Sequence, residues 1–484
     1  MIAGETLRTL APELVLAVTA FAALFAPLRS PRAGWIALAG LCAVALLLCA
    51  RAEGATVLAS IEADRFAAFF QLAMTAASAV VVAAWLFAQR EVREIAPRAC
   101  FLLLAALLGG FVMVGTHHAL PLVLGSEMLS LACIALAGFD EQRTTSSEAA
   151  LKLLVSSGLA TALSIYGLGL LYGLGGSLDF EHLGDATSAG FAARFASDPW
   201  PISIALTLVL CGVASKIALA PLAFLAPDVG EGAPTPAAAF FVVVAKLAGF
   251  GALLRILAAL FVRDDVARAM QPHAQHFGAR LAVLAAVTLA IGSLAALRQA
   301  GLKRLLANSS IAHTGIAAIG VACLDETGFA AALVFLAYST LAHAGAFVAV
   351  VFAEGATGSD RLEDLRGLGR RSPLLAIALL VQFASLSALP PSPGFHAQFR
   401  VLLEAWNAGF AWLVLLAAGA MLLWLSLFLR IANELFREPS ATRERSGSRV
   451  LQGLAVALAL ATLILGVWPG RLERWAASAL DLLR

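Results

Sequence analysis

Apolar runs of about 20 residues, the length an α-helix needs to cross hydrocarbon, follow one another along almost the whole of this 484-residue chain. Where no water is present, only helices and closed barrels satisfy their own backbone. Hydropathy divides the chain into about 14 such helices, near residues 11–28, 33–50, 65–88, 98–115, 117–138, 149–173, 201–224, 236–262, 278–298, 302–323, 328–353, 373–408, 410–436 and 450–469. Hydrophobic residues make up 61% of the chain and charged residues 13%, with a mean hydropathy of +0.89, too little polar surface for a soluble protein of this length. The expectation is an all-α polytopic membrane protein. No soluble domain remains, because the longest polar connections are residues 174–200, 354–372 and 437–449. The start, MIAGETLRTLAPE, lacks the basic segment and small-residue cleavage site of a signal peptide, so the first apolar run reads as a retained helix.

Several function classes drop out. All six cysteines (Cys42, Cys49, Cys100, Cys133, Cys211, Cys323) lie in apolar stretches without close pairing, which argues against a disulfide framework, a zinc site or an iron–sulfur cluster. No GxGxxG follows a strand and no P-loop is present, so neither NADH nor ATP has a seat on the chain. A net charge of +2 does not point to nucleic acid.

Charge orients the spans, since cytoplasmic loops carry the excess of lysine and arginine. One set of alternate loops and span edges holds most of them, including Arg29, Arg90, Arg93, Arg298, Lys303, Arg366, Arg370, Arg371, Arg443 and Arg445, whereas the opposite set holds fewer, among them Arg8, Arg51, Arg194, Arg263 and Arg484. Both termini are therefore expected on the periplasmic side of a bacterial inner membrane. Two spans carry breaker clusters in comparable settings, SKIALAPLAFLAPDVGEGAPTP after the seventh and LSALPPSPGF within the twelfth. Proline removes a backbone donor, so such clusters must be buried in protein or line a wet cavity. Interrupted helices in corresponding positions of two halves point to an ion path. The expected organisation is three N-terminal helices over 1–97, a first five-helix repeat over 98–262 (helices 4 to 8), an inverted second repeat over 263–436 (helices 9 to 13), helices 7 and 12 discontinuous, and one C-terminal helix within 437–484.

Only four of the 33 basic residues are lysine, and Lys152, Lys216 and Lys246 fall in apolar stretches. Arginine stays charged almost anywhere, but a desolvated lysine can lose its proton near neutral pH. An ionisable residue inside a span is a functional-site hypothesis by default. Glu127, in VLGSEMLSLACIAL, is the one acid at the middle of a span and the economical partner for Lys216 or Lys246. If it pairs with Lys216, breaking the pair would alter the proton affinity of Lys216 and, through it, of Lys246. The alternative is a buried ion pair that only sets helix register. Lys152 follows the polar loop DEQRTTSSEAA, so snorkelling competes with a relay role, and Ser147 and Glu148 read as cap and first-turn residues. His313 and His343 are mid-span imidazoles; His313 is read as part of a relay, and for His343 a hydrogen-bonded core histidine is an equal reading. His117, His118, His182, His273 and His276 are assigned no chemistry.

In this order the residues resemble the antiporter-like membrane subunits of proton-pumping NADH:quinone oxidoreductase, respiratory complex I, and within them the subunit N family. SSEAALKLL, GVASKIALAPLAFLAPDVGEGAPTPAAAFFVVVAKLAGFGALL, LKRLLANSSIAHTG, LEDLRGLGRRSPLLA and LPPSPGFHAQF carry the resemblance over essentially the whole chain. It implies a 14-helix fold of inverted bundles, Glu127 and Lys216 as a coupling pair, Lys246 as the central proton carrier and His313 on the connecting path. It also implies quinone reduction coupled to proton pumping, with NADH, FMN, iron–sulfur clusters and quinone on partner subunits and no redox centre here. The departure lies in the twelfth helix, where GFHAQF places Gln398 at the position of the family's terminal lysine. Glutamine cannot titrate, so His396 is a candidate substitute at the exit. Other functions with this fold are a subunit of a multi-subunit Mrp-type cation/proton antiporter, a membrane-bound hydrogenase subunit, and a scaffold that no longer conducts.

Overall fold

The computed structural model describes residues 9–27, 31–51, 55–57, 60–88, 96–140, 142–180, 200–262, 264–438 and 448–480. Its helices are α1 (Ala11–Leu24), α2 (Arg32–Cys49), α3 (Arg65–Leu86), α4 (Ala96–Gly115), α5 (Ala119–Ala137), α6 (Thr144–Gly175), α7 (Trp200–Ile217), α8 (Ala226–Gly232), α9 (Thr235–Phe261), α10 (Asp264–Leu297), α11 (Leu302–Ala322), α12 (Glu326–Thr357), α13 (Pro373–Leu386), α14 (Pro393–Asn407), α15 (Ala411–Phe436), α16 (Arg449–Val467) and α17 (Gly470–Leu480). A two-stranded antiparallel hairpin, β1 (Ala55–Val57) with β2 (Ile61–Ala63), joins α2 to α3 in the register Thr56 to Glu62. Among the described residues, 12 helices are long and apolar enough to cross a membrane, and Ala11–Leu24 and Pro373–Leu386 are shorter apolar helices.

Helix ends follow local chemistry. Asp64 caps α3 by accepting from the Ala67 amide at 2.6 Å, Asp325 caps α12 through Gly328 at 2.7 Å, and Ser392 caps α14 through Phe395 at 3.3 Å. Proline opens α13 and α14, where its missing N–H costs nothing. The chain packs in layers. Helix α11 is buried throughout its apolar stretch and α9 and α12 almost throughout, while α6, α15 and α16 turn most of their surface outward. In hydrocarbon, helices associate through close approach of small residues, and Gly109 and Gly125 bring α4 and α5 together. A Cβ on Gly109 would lie 2.6 Å from the Gly125 carbonyl.

The long twelfth apolar run is two helices, α13 and α14, and residues 218–225, before the PDVGEG stretch of α8, separate α7 from α8. The two turns are built alike. Helix α7 ends at Ile217, Ala218 adopts φ 55°, the Leu219 amide donates to Ala214 at 3.1 Å and the Leu222 amide to Leu219 at 2.9 Å. Helix α13 ends at Leu386, Ala388 adopts φ 50°, the Leu389 amide donates to Ala384 at 3.0 Å and the Ser392 amide to Leu389 at 2.8 Å. A left-handed alanine costs on the order of 1–2 kcal/mol, so the surroundings must impose it. Ala220–Pro221 and Pro390–Pro391 are both cis.

Two local expectations give way. Helix α6 starts at Thr144 with Arg143 as its cap position, so Ser147 and Glu148 lie inside the helix, and Glu148 pairs with Lys152 one turn on. The C-terminal region carries a second helix, α17, beyond α16. No apolar run announces it because it is amphipathic, resting on α3 and α12 with the Trp475 ring 4.6 Å from Phe69.

Candidate functional site

The candidate residues meet along the buried helices. Glu127 and Ser130 stand one turn apart on α5, so both side chains share a face. The Glu127 carboxylate accepts from the Thr161 hydroxyl of α6 at 2.5 Å. Lys216, in the last turn of α7, donates to the Ser130 hydroxyl. The direct Glu127–Lys216 pair expected from sequence is thus replaced by a contact of Lys216 with Ser130, one turn along α5 from Glu127. Helix α7 needs the close approach of α9 at this point, because a Cβ on Gly249 would sit 2.5 Å from Ile217 and 3.1 Å from the Cβ of Lys216.

Lys246 resumes the α-helix of α9 directly after a π-helical stretch, Phe241–Ala245. Such stretches frequently mark functional positions. The residue is 3% exposed and its ammonium donates to Ser310 of α11 at 2.9 Å. A cavity of about 90 Å³ is lined by Ser130, Cys133, Lys216, Lys246 and Ser310, together with residues of α6 and α8. That volume and its hydroxyls suit several waters.

His313 lies one turn beyond Ser309 on α11 and uses both ring nitrogens. Nε2 donates to the Leu386 carbonyl at 2.9 Å, at the open end of α13. Nδ1 lies 2.7 Å from the Ser309 carbonyl and 3.2 Å from its hydroxyl. A neutral ring can accept from that hydroxyl and a protonated ring can donate to that carbonyl, so either state is satisfied without moving the side chain. His343 repeats the spacing on α12, with Nδ1 2.7 Å from the Ser339 carbonyl, and its ring centroid is 5.1 Å from that of His313. Its Nε2 is buried without a hydrogen-bond partner among the described residues.

Gln398 and His396 do not form one exit group. Two residues apart on α14, they point to opposite sides of the helix. Gln398 is 5% exposed and shares with His313 a cavity of only about 10 Å³. His396 instead lies 2.5 Å from Glu473 of α17, and Arg400 reaches the other carboxylate oxygen at 3.0 Å. Burial pushes the Glu473 carboxyl up, but the hydrogen bond from His396 and the charge of Arg400 outweigh it and hold the group below its ordinary value. Lys152 is held by Glu148 and Asp228, both at 2.7 Å, and Asp228 is shared with Arg304 at 3.1 Å. This partly exposed network borders the larger cavity, which Ser156 and Val229 line.

Sequence reasoning passed over three residues. Arg255, nine positions after Lys246, donates through Nη2 to both oxygens of Asp64 at 2.9 and 2.8 Å and through Nε to the Val114 carbonyl at 2.8 Å, and both ionic partners are buried. A lone arginine within the apolar run GALLRILAALF was the available signal. His117 belongs to the same cluster, 3.4 Å from Arg255 and 3.2 Å from Glu62. Lys303, read as a loop charge, is buried and donates to the carbonyls of Glu231 and Ala233 at 3.2 and 3.4 Å, fastening the loop before α9. His182 and the side chain of His273 lie outside the described residues.

The family model described as NADH:quinone oxidoreductase/Mrp antiporter, transmembrane, matches residues 116–423. The NADH-quinone oxidoreductase subunit N of Anaeromyxobacter sp. (strain Fw109-5) is 33% identical over 475 residues, covering 93% of this chain and 90% of its own. That of Geobacillus kaustophilus (strain HTA426) is 34% identical over 488 residues, with coverage of 95% and 94%. A chain of respiratory complex I from Thermus thermophilus with bound aureothin superposes with a TM-score of 0.78 at 32% identity, covering 97% of this chain and 99% of that one. A chain of the Mrp complex from Dietzia sp. DQ12-45-1b shares the fold, with a TM-score of 0.80 at 22% identity and coverage of 99% and 97%.

Proposed function

Because the chain belongs to the NADH:quinone oxidoreductase/Mrp antiporter family of membrane proteins, we propose that Glu127, Lys216, Lys246 and His313 form the path by which it relays protons. The chain is a proton-translocating membrane subunit of an NADH:quinone oxidoreductase, of the subunit N type. The observation that carries the path is the hydroxyl-lined cavity shared by Lys216 and Lys246. A lysine serves as a carrier when burial lets it give up its proton and water or a hydroxyl lets it regain one. Glu127 biases the charge on Lys216, cavity water joins Lys216 to Lys246, and Ser310 leads from Lys246 to the turn of α11 that holds His313. Lys152 belongs to the charged rim of the cavity and His343 is a side partner of His313.

The same reading supplies the wider organisation. Residues 98–262 and 263–436 form inverted five-helix repeats within a 14-span fold, and the matched hydrogen-bond patterns at Ala218 and Ala388 support discontinuous spans 7 and 12. The distribution of arginine and lysine supports a bacterial inner membrane with both termini periplasmic. NADH, FMN, iron–sulfur clusters and quinone belong to partner subunits, and other membrane subunits and lipid surround this one. Gln398 leaves the step beyond His313 to water or to a neighbouring chain.

Lys246→Ala tests the path. Complex content in membranes is expected to hold while proton uptake per NADH oxidised in inverted vesicles falls. An unchanged proton yield at normal content would remove Lys246 from the route.

A further inference from the structure

Helix α11 touches the open end of both interrupted helices with two consecutive residues. Thr314 donates from Oγ1 to the carbonyl of Ile217, the last residue of α7, at 2.7 Å. His313 donates from Nε2 to the carbonyl of Leu386, the last residue of α13, at 2.9 Å. Consecutive helical residues point about 100° apart, so one short stretch of α11 can address two different neighbours. Both donors are buried, Thr314 completely. A carbonyl at the last turn of a helix has no partner within the helix, and in an interior without water its satisfaction depends on such a donor.

The two contacts differ in one respect. The Thr314 hydroxyl can donate whatever the protonation of the path, whereas the His313 contact exists only while Nε2 carries a hydrogen. When His313 passes a proton on through Nε2, the Leu386 carbonyl loses its donor, whereas the Thr314 contact to Ile217, the residue next to Lys216, persists.

We propose that Thr314 is a positioning residue that holds the carbonyl end of α7, and Lys216 with it, in register with His313, so that α11 couples the two helix interruptions during proton transfer. The proposal rests on the relay reading above and adds Thr314 to it. Thr314 carries no proton along the path. Its part is to keep the end of α7 fixed while the neighbouring contact to α13 is made and broken. Ser309 is arranged to support this cycle, since its carbonyl and hydroxyl offer Nδ1 an acceptor and a donor in turn.

The test uses the assembled complex in inverted membrane vesicles and reads protons translocated per NADH oxidised, with complex content measured separately. Thr314→Val matches the side chain in shape and removes the donor; its proton yield is expected to fall towards that of Lys246→Ala at near-normal content, and Thr314→Ser is expected to restore it. His313→Gln combined with Thr314→Val is expected to lose no more than the larger single loss, because both changes act on one coupled element. If Thr314→Val fails to assemble, Thr314→Cys, whose thiol is a weak donor of similar size, is expected to assemble with an intermediate yield. A wild-type yield in an assembled Val or Cys variant, or losses that add in the double variant, would overturn the proposal. Such a result alongside a reduced yield in Lys246→Ala would sink the coupling and leave the relay standing, whereas a normal yield in Lys246→Ala would sink the relay itself.

Discussion

The ammonium of Lys246 and the hydroxyl of Ser310 meet at 2.9 Å across the interface of α9 and α11, with His313 one turn further along the same face of α11. Ser310 is thus the hinge between the lysine cavity and the histidine region, and its hydroxyl also faces the Val242 carbonyl within the π-helical stretch at 3.4 Å. A hydroxyl that accepts from one side and donates to the other can pass a proton without holding a charge.

Ser310→Ala is expected to leave the buried Lys246 ammonium without its partner, which costs on the order of 1–3 kcal/mol. Proton yield should fall while assembly survives, because neighbouring apolar contacts of α11 are untouched. Vesicle proton uptake at matched complex content is the measurement, and a wild-type yield would show that water alone bridges Lys246 to His313.

Glu127 and Lys216 are expected to couple although they do not touch. Lys216 meets Ser130 one turn along α5 from Glu127, which keeps the two charges near each other, and coupling energies between neighbours run about 0.5–3 kcal/mol. A double-mutant cycle of Glu127→Gln and Lys216→Ala on quinone-reductase activity reads it out. Additive losses would assign Lys216 to Ser130 alone.

Gln398→Lys is expected to cost stability and return no protons. The space beside His313 is about 10 Å³, at the lower limit for a single water, so a new ammonium would be buried dry at a cost of several kcal/mol. Reduced thermal stability with an unchanged proton yield is the predicted pair of results. A raised yield would mean that the region opens during turnover and that the missing lysine limits this chain.

The fastening of α17 is expected to depend on pH through Glu473. Its carboxyl lies below its ordinary value because the hydrogen bond from His396 and the charge of Arg400 outweigh burial. A depressed folded-state pKa gives stability that is complete above the unfolded value, about 4.3 for glutamate, and is lost as pH falls through the lower folded value. Thermal denaturation of the detergent-solubilised complex as the pH is stepped down through and below about 4.3 should show this loss, and Glu473→Gln should remove its dependence on pH. His396→Ala should weaken the same contact and spare the His313 route, since the two histidines are separated by the body of α14.

Arg255→Leu alone is expected to destabilise the chain by about 3–5 kcal/mol, because it strands the buried Asp64 carboxylate. Asp64→Asn with Arg255→Leu should be milder, since no uncompensated charge remains and the asparagine can still cap α3. Membrane content of the assembled complex decides between them. Equal losses would mean that the ion pair contributes through Arg255 contacts other than Asp64.

The run of apolar segments determined an all-helical membrane fold by itself, because a backbone in hydrocarbon has so few ways to satisfy its hydrogen bonds. Most segment edges fell within a few residues of the helices, because proline, aspartate and serine act locally at helix ends; the exceptions are α10, which starts at Asp264 where the apolar run begins near 278, and α7, which ends at Ile217 where the run continues to 224. The candidate lysines and His313 were legible because a titratable group in an apolar run is costly enough to stand out against its neighbours. Pairing was not legible. Whether Glu127 meets Lys216 or stops at Thr161, and whether His396 shares a side with Gln398, depends on the rotation and depth of helices far apart in sequence, which composition does not encode. The amphipathic α17 escaped because a half-polar helix has no apolar run, and the Asp64–Arg255 pair escaped because its residues lie far apart in the chain. Tertiary structure alone brought Thr314 and His313 to the ends of α7 and α13, since a carbonyl left open at a helix end takes whichever donor the neighbouring helix happens to present.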